Sequence, residues 1–105
     1  MKYKILTTKK YYKFFTKLDL EKQAVIRKRL TNINLNGVFG DYKVLDRHLY
    51  ELRIFSHGGI RIYYSILSND TIVLLLNGGL KESKEQQQKD INDAKKELEN
   101  FNKNI

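Results

Sequence analysis

The sequence predicts an α+β domain, one mainly antiparallel sheet with helices packed on it. Three observations carry the prediction. The stretch Leu49 to Lys81, LYELRIFSHGGIRIYYSILSNDTIVLLLNGGLK, holds three strand-like runs joined by two short polar turns. Ahead of it, Tyr11, Phe14, Phe15 and Leu18, and then Ile26, Leu30 and Ile33, recur at helical spacing. Behind it, Ile91, Ala94, Leu98 and Phe101 mark a narrow apolar stripe on a third helical segment.

In chain order, Lys2 to Leu6 suits a short first strand. Thr7 or Thr8 can cap the helix that follows. Lys9, Lys10, Lys13 and Lys17 cluster on that helix's opposite side from its aromatic stripe. Asp19 reads as a break and a second cap, with a longer helix from Leu20 to about Ile33. Arg27, Lys28 and Arg29 fall mostly on its wet side. The tight joint predicts a helical hairpin packed on the sheet. Asn34 to Asp41, with Asn36-Gly37 and Gly40, reads as a loop. Tyr42 to Leu45 suits a short strand, and Asp46-Arg47-His48 a turn. After Lys81, Ser83 and Gln86 form a capping box for the last helix, and Asn102 to Ile105 form a fraying tail.

Alternation sets the register of the central strands. Leu52 and Ile54 share one face of their run, and Glu51 and Arg53 the other; Ile60, Ile62 and Tyr64 alternate with Arg61 and Tyr63. Keeping both apolar sets on one side pairs Ile54 with Ile60 and Leu52 with Ile62. A loop of Ser56-His57-Gly58 closes this hairpin, and Arg53 stands opposite Arg61. Facing guanidiniums repel unless an anion lies between them. Continuing the pattern, Ile66 pairs with Ile72 around a Ser68-Asn69-Asp70 turn, Asn77 falls opposite Arg61, and the chain leaves the sheet through Gly78-Gly79. Arg53, Arg61, Asn77 and Lys81 would then gather at one end of the sheet, with Tyr63 one step away.

The 105 residues suit a single domain. Ile72 to Leu76, the longest apolar run, is too short to cross a bilayer, and no secretory signal pattern opens the chain. Without cysteine there is no disulfide framework, and His48 and His57 do not make a metal site by themselves. The formal charge is +8. Residues 1–50 carry 12 Lys/Arg against 4 Asp/Glu, whereas the rest is balanced. A basic first half points to an anionic partner, nucleic acid or an acidic protein segment.

The set ELRI (51–54), GIRIYY (59–64), IVLLLNGGLK (72–81) and QKDI with Ala94 resembles the RelE/ParE superfamily of bacterial type II toxins, and is most similar to its HigB-like branch of addiction-module killer proteins. The resemblance spans nearly the whole chain. It implies a single domain over residues 1–105, cytoplasmic, with no membrane association. The implied activity is ribosome-dependent mRNA endonuclease action without metal or cofactor, held in check by a cognate antitoxin from a neighbouring gene. The ribose 2′-hydroxyl attacks the adjacent phosphate. Carried over by motif, Arg61, Lys81 and Arg53 are the catalytic candidates, with Lys84 as a neighbour. Two departures stand out: Gln86 to Gln88 occupy the place of a tyrosine common after the basic turn, and Lys81 stands where RelE has arginine. The general acid and base are thereby left open. Tyr63 and Asn77 are further RNA-binding candidates, and Lys13, Lys17 and Arg27 would meet ribosomal RNA through phosphates. The ParE branch, which inhibits gyrase without nuclease activity, is the alternative.

Overall fold

The computed structural model describes residues 1–67 and 69–103. Strand β1 (Lys4–Thr7) leads into α1 (Lys9–Thr16) and α2 (Leu20–Asn36). Strands β2 (Tyr42–Asp46), β3 (Leu49–Ile54), β4 (Ile60–Leu67) and β5 (Ile72–Leu80) follow, and α3 (Lys84–Lys103) comes last. The sheet order is β1-β5-β4-β3-β2, with β1 parallel to β5 and every other pair antiparallel. The α+β expectation holds, with helices on both faces. No helix among the described residues is long and apolar enough to cross a membrane.

Local chemistry explains the helix ends. Thr8 caps α1, its hydroxyl oxygen accepting from Tyr11 N at 3.0 Å. Asp19 does the same for α2 through Lys22 N at 2.9 Å. That helix runs a turn past Ile33 and stops at Gly37, which takes the left-handed conformation at φ 70°. Asn34 is held helical by the N-terminal chain: its carbonyl accepts from Lys2 N at 2.7 Å and its Nδ2 donates to Tyr3 O at 2.6 Å. The same bonds take Lys2 and Tyr3 out of β1, which begins later than its sequence suggests. Ser83 Oγ accepts from Gln86 N at 3.2 Å, but the Gln86 side chain turns to Asp90 instead of closing the box. The end of α3 continues through Asn102 and Lys103, and the rest of the expected tail lies outside the described residues.

Two cores follow from strand alternation. On one face Leu52, Ile54, Ile60, Ile62, Tyr64, Val73 and Leu75 pack against Tyr11, Ile26 and Ile33 of the helical hairpin. On the other, Leu49, Tyr63, Leu74 and Leu76 pack against Ala94, with Ile91, Leu98 and Phe101 beside it. β5 is covered on both sides, which is why Ile72 to Leu76 shows no polar alternation.

The β3–β4 register is the expected one: Ile54 pairs with Ile60, Leu52 with Ile62 and Arg53 with Arg61. The hairpin closes in a turn in which Gly59 N donates to Ser56 O at 3.1 Å, with His57 and Gly58 both at positive φ. The β4–β5 register differs from expectation. Leu67 pairs with Ile72, Tyr64 with Leu75 and Tyr63 with Asn77. A bulge at Leu76 accounts for the second step of the shift. The Leu76 carbonyl accepts from the Thr8 hydroxyl at 2.6 Å. Gly79, not Asn77, therefore faces Arg61, and β5 continues through Gly78-Gly79 to Leu80. The expected Ser68-Asn69-Asp70 turn falls partly outside the described residues.

Candidate functional site

The extension of β5 brings Lys81 to the two arginines. Lys81 N donates to Gly59 O at 2.9 Å, prolonging the β4–β5 ladder by one step. A Cβ on Gly59 would lie 2.8 Å from Lys81 Cβ, and Gly59 sits at φ +93°. Only glycine lets the lysine stem lie flat across this strand start. Arg53, Arg61 and Lys81 then line one cleft of ≈ 40 Å³, together with Phe55, Gly59 and Ile60.

Each arginine is held by a carboxylate. Arg53 Nε and Nη2 both donate to Asp41 Oδ1, at 3.0 and 2.8 Å. Its guanidinium also lies over the Phe55 ring, 5.6 Å from the ring centre. Arg61 Nε stands 3.7 Å from Glu51 Oε1. Glu51 is only 2% exposed, and its other oxygen accepts from Gln87 Nε2 of α3 at 3.2 Å. The Arg61 side chain is 23% exposed and that of Arg53 34%, so both keep a face toward the cleft. Among the described residues, no carboxylate lies within ion-pair distance of Lys81.

Two of the expected residues are elsewhere. Tyr63 is 1% exposed and Asn77 3% exposed, both beneath α3. Asn77 Nδ2 donates to Asp90 O at 3.0 Å, locking α3 to β5. Burial pushes the Tyr63 hydroxyl well above its ordinary range, and the nearby Glu51 and Asp90 carboxylates push the same way. Neither side chain offers a surface to RNA in this arrangement. The reason is that α3 covers this part of the face that Tyr63 shares with Arg61.

The remaining candidates sit on helices. Lys84 is the exposed first residue of α3. Lys13 is exposed on α1, and Lys17 borders a groove of ≈ 470 Å³ that runs past Leu80 and Glu82. Arg27 lies 5.1 Å over the Phe15 ring with its charge in solvent. Helices α1 and α2 pack on the sheet face opposite the one bearing Arg61, whereas α3, with Lys84, packs on Arg61's own face.

Arg29 departs from its expected wet position. Its Nη1 donates to Arg53 O at 2.8 Å, and its Nη2 donates to Phe39 O at 2.6 Å and Asp41 O at 3.0 Å. Burial lowers its affinity for the proton, with Asp41 partly compensating. Asp41, Arg29 and Gln87 were not among the sequence candidates. The β2–β3 register was the missing signal, because pairing Tyr42 with Leu52 sets Asp41 opposite Arg53.

Known proteins share this architecture. The isolated RelE toxin of E. coli matches with a TM-score of 0.65 at 18% identity, covering 86% of this chain and 96% of that one. A chain of the intact E. coli RelBE toxin-antitoxin complex matches at 0.65 and 18%, over 77% of this chain and 99% of its own. The RelBE2 toxin-antitoxin complex of Mycobacterium tuberculosis matches at 0.59 and 19%, over 77% and 100%. These likenesses establish a RelE fold. An uncharacterised protein of Haemophilus influenzae is 36% identical over 96 residues, spanning 90% of this chain and 92% of that protein. The family model described as phage-derived protein Gp49-like matches residues 13–99, and the chain belongs to that family.

Proposed function

We propose that this chain is the toxin of a toxin–antitoxin pair, of the HigB-like kind, and cuts mRNA at the ribosome by a metal-independent route. The observation that carries this reading is the convergence of Arg53, Arg61 and Lys81 on one cleft of a RelE fold. Solved relatives of the same fold are themselves toxins, two of them in complexes with antitoxins.

The chemistry asks for three services. A base takes the 2′-proton, positive groups stabilise the charge that builds on the phosphate, and an acid protonates the departing 5′-oxygen. The new bond joins the 2′-oxygen to phosphorus, the bond to the 5′-oxygen breaks, and a 2′,3′-cyclic phosphate remains. Arg61 is assigned to the phosphate, since a guanidinium can grip two of its oxygens. Arg53 stands across from it as the second grip. Lys81, free of carboxylates, is assigned to charge stabilisation or to the leaving oxygen. Glu51 is too enclosed to reach a 2′-hydroxyl and instead holds Arg61.

Lys13, Lys17, Arg27 and Lys84 would contact RNA phosphates, and binding to ribosomes would then weaken steeply with salt. The cognate antitoxin would bring an acidic or amphipathic segment to this basic chain. Both would act in the bacterial cytoplasm.

The test is to map transcript ends after brief expression in bacteria. Cuts within translated codons that disappear with Arg61→Ala support the nuclease. Intact mRNA accompanied by a DNA-damage response would shift the reading to gyrase inhibition.

A further inference from the structure

Building on the phosphate-binding reading of the cleft, we propose that Asp41, clamped by Arg29, is a positioning residue. It fixes which edge of Arg53 meets the phosphate and trims the cleft's charge to suit a phosphodiester.

The geometry is specific. One oxygen, Asp41 Oδ1, takes both Nε and Nη2 of Arg53. That edge of the guanidinium is occupied, and the Nη1 side is left for an incoming anion. Asp41 is itself anchored by its main chain: its carbonyl accepts from Arg53 N at 3.0 Å and from Arg29 Nη2 at 3.0 Å. Arg29 also donates to Arg53 O and Phe39 O, so one planar fork on α2 bolts the backbone of both partners. The guanidinium lies against Gly40, where an added Cβ would come within 2.8 Å of it. A side chain held at both ends in this way loses little freedom when its ligand arrives.

Charge supplies the second half. Arg53, Arg61 and Lys81 face the cleft, and Asp41 and Glu51 are paired with the two arginines. Three cations against two carboxylates leave one net positive charge. A phosphodiester carries one negative charge, whereas a phosphomonoester carries about −1.5 to −2 at neutral pH. The carboxylates therefore favour an internal RNA linkage over free phosphate or a terminal phosphate.

The experiment compares wild type, Asp41→Asn, Arg29→Lys, Arg53→Ala and the Asp41→Asn/Arg53→Ala double variant, each checked for folding by thermal melting. Probes are a short 2′-O-methyl RNA, which cannot attack its own phosphate, and inorganic phosphate. Readouts are the two dissociation constants, the Arg53 Nε–H resonance, and single-turnover cleavage on ribosomes. Asp41→Asn and Arg53→Ala are each expected to slow cleavage on the order of 10- to 100-fold. The double variant should be no worse than Arg53→Ala. Asp41→Asn should also shift preference toward inorganic phosphate and move the Nε–H resonance, and Arg29→Lys should reproduce the cleavage loss in milder form.

If Arg53→Ala is impaired but Asp41→Asn and Arg29→Lys behave as wild type, the positioning role is overturned and the cleft reading survives. Additive losses in the double variant also overturn it. If Arg53→Ala binds the 2′-O-methyl RNA as wild type does, the cleft reading itself falls. Should Asp41→Asn fail to fold, Arg29→Lys decides the matter by the same comparisons.

Discussion

Arg53 and Arg61 face each other across the β3–β4 ladder, yet each guanidinium has a carboxylate of its own. Like charges directly opposite one another destabilise a sheet, and Asp41 and Glu51 offset that repulsion. The two pairs differ in setting. Asp41 is at the surface, whereas Glu51 is enclosed beneath α3, where Arg61 and Gln87 are its partners among the described residues. Arg61 thus has a structural duty alongside its proposed chemical one.

Substituting Arg61 separates those duties. Arg61→Ala leaves a buried carboxylate without its cation and should destabilise the fold by about 1–3 kcal/mol. RNA cleavage should fall on the order of 10²- to 10³-fold. Adding Glu51→Gln should recover much of the stability without restoring cleavage. Thermal melting paired with single-turnover cleavage reads both; recovery of cleavage in the double variant would argue against a chemical role for Arg61.

Gly59 is the hinge between fold and site. Gly59→Ala would force a methyl to within 2.8 Å of the Lys81 stem at a φ of +93°. The strain should cost on the order of 1–3 kcal/mol. The Lys81 stem must also move from its place in the cleft, so activity should drop even at temperatures where the variant is fully folded. A folded Gly59→Ala protein of wild-type activity would show that Lys81 needs no fixed position.

Much of this arrangement was legible in the residues. Period-two alternation fixed the β3–β4 register, because a one-residue slip would expose Leu52 and Ile54. The caps at Thr8 and Asp19 were legible as well. What escaped was set by distant parts of the chain. The bulge at Leu76, whose carbonyl accepts the Thr8 hydroxyl, moved Gly79 opposite Arg61, and no local pattern announces such a bond. Tyr63 reads as an RNA-binding candidate in the sequence, although it and Glu51 are buried, because alternation says which side a residue takes, not what covers that side. Lys81 joined the arginines despite the register error, since the strand ran on for longer than expected.

Tyr63 offers a direct check on that covering. With the side chain 1% exposed and packed against α3, Tyr63→Phe should leave RNA cleavage within about twofold of wild type. Tyr63→Ala should instead cost about 3–5 kcal/mol through the cavity it opens. A large loss of cleavage in a stable Tyr63→Phe protein would mean that α3 lifts and the hydroxyl reaches substrate.

Asp90 should make the fold less stable as pH rises. Burial raises its pKa above the ordinary 3.8, with Asp93 and Glu82 pushing the same way and the Gln86 hydrogen bond and Lys89 opposing. The folded state therefore holds this proton more tightly than the unfolded chain does. The stabilising contribution is fully present below 3.8 and is lost as pH climbs through the raised folded value. Asp90→Asn removes the titration while keeping an oxygen for Gln86 and the main-chain carbonyl that Asn77 uses. The variant should be modestly more stable than wild type at about pH 7, and the difference should close at about pH 3. Urea unfolding at the two pH values measures this directly. An advantage of equal size at both would trace the gain to packing instead of to the proton.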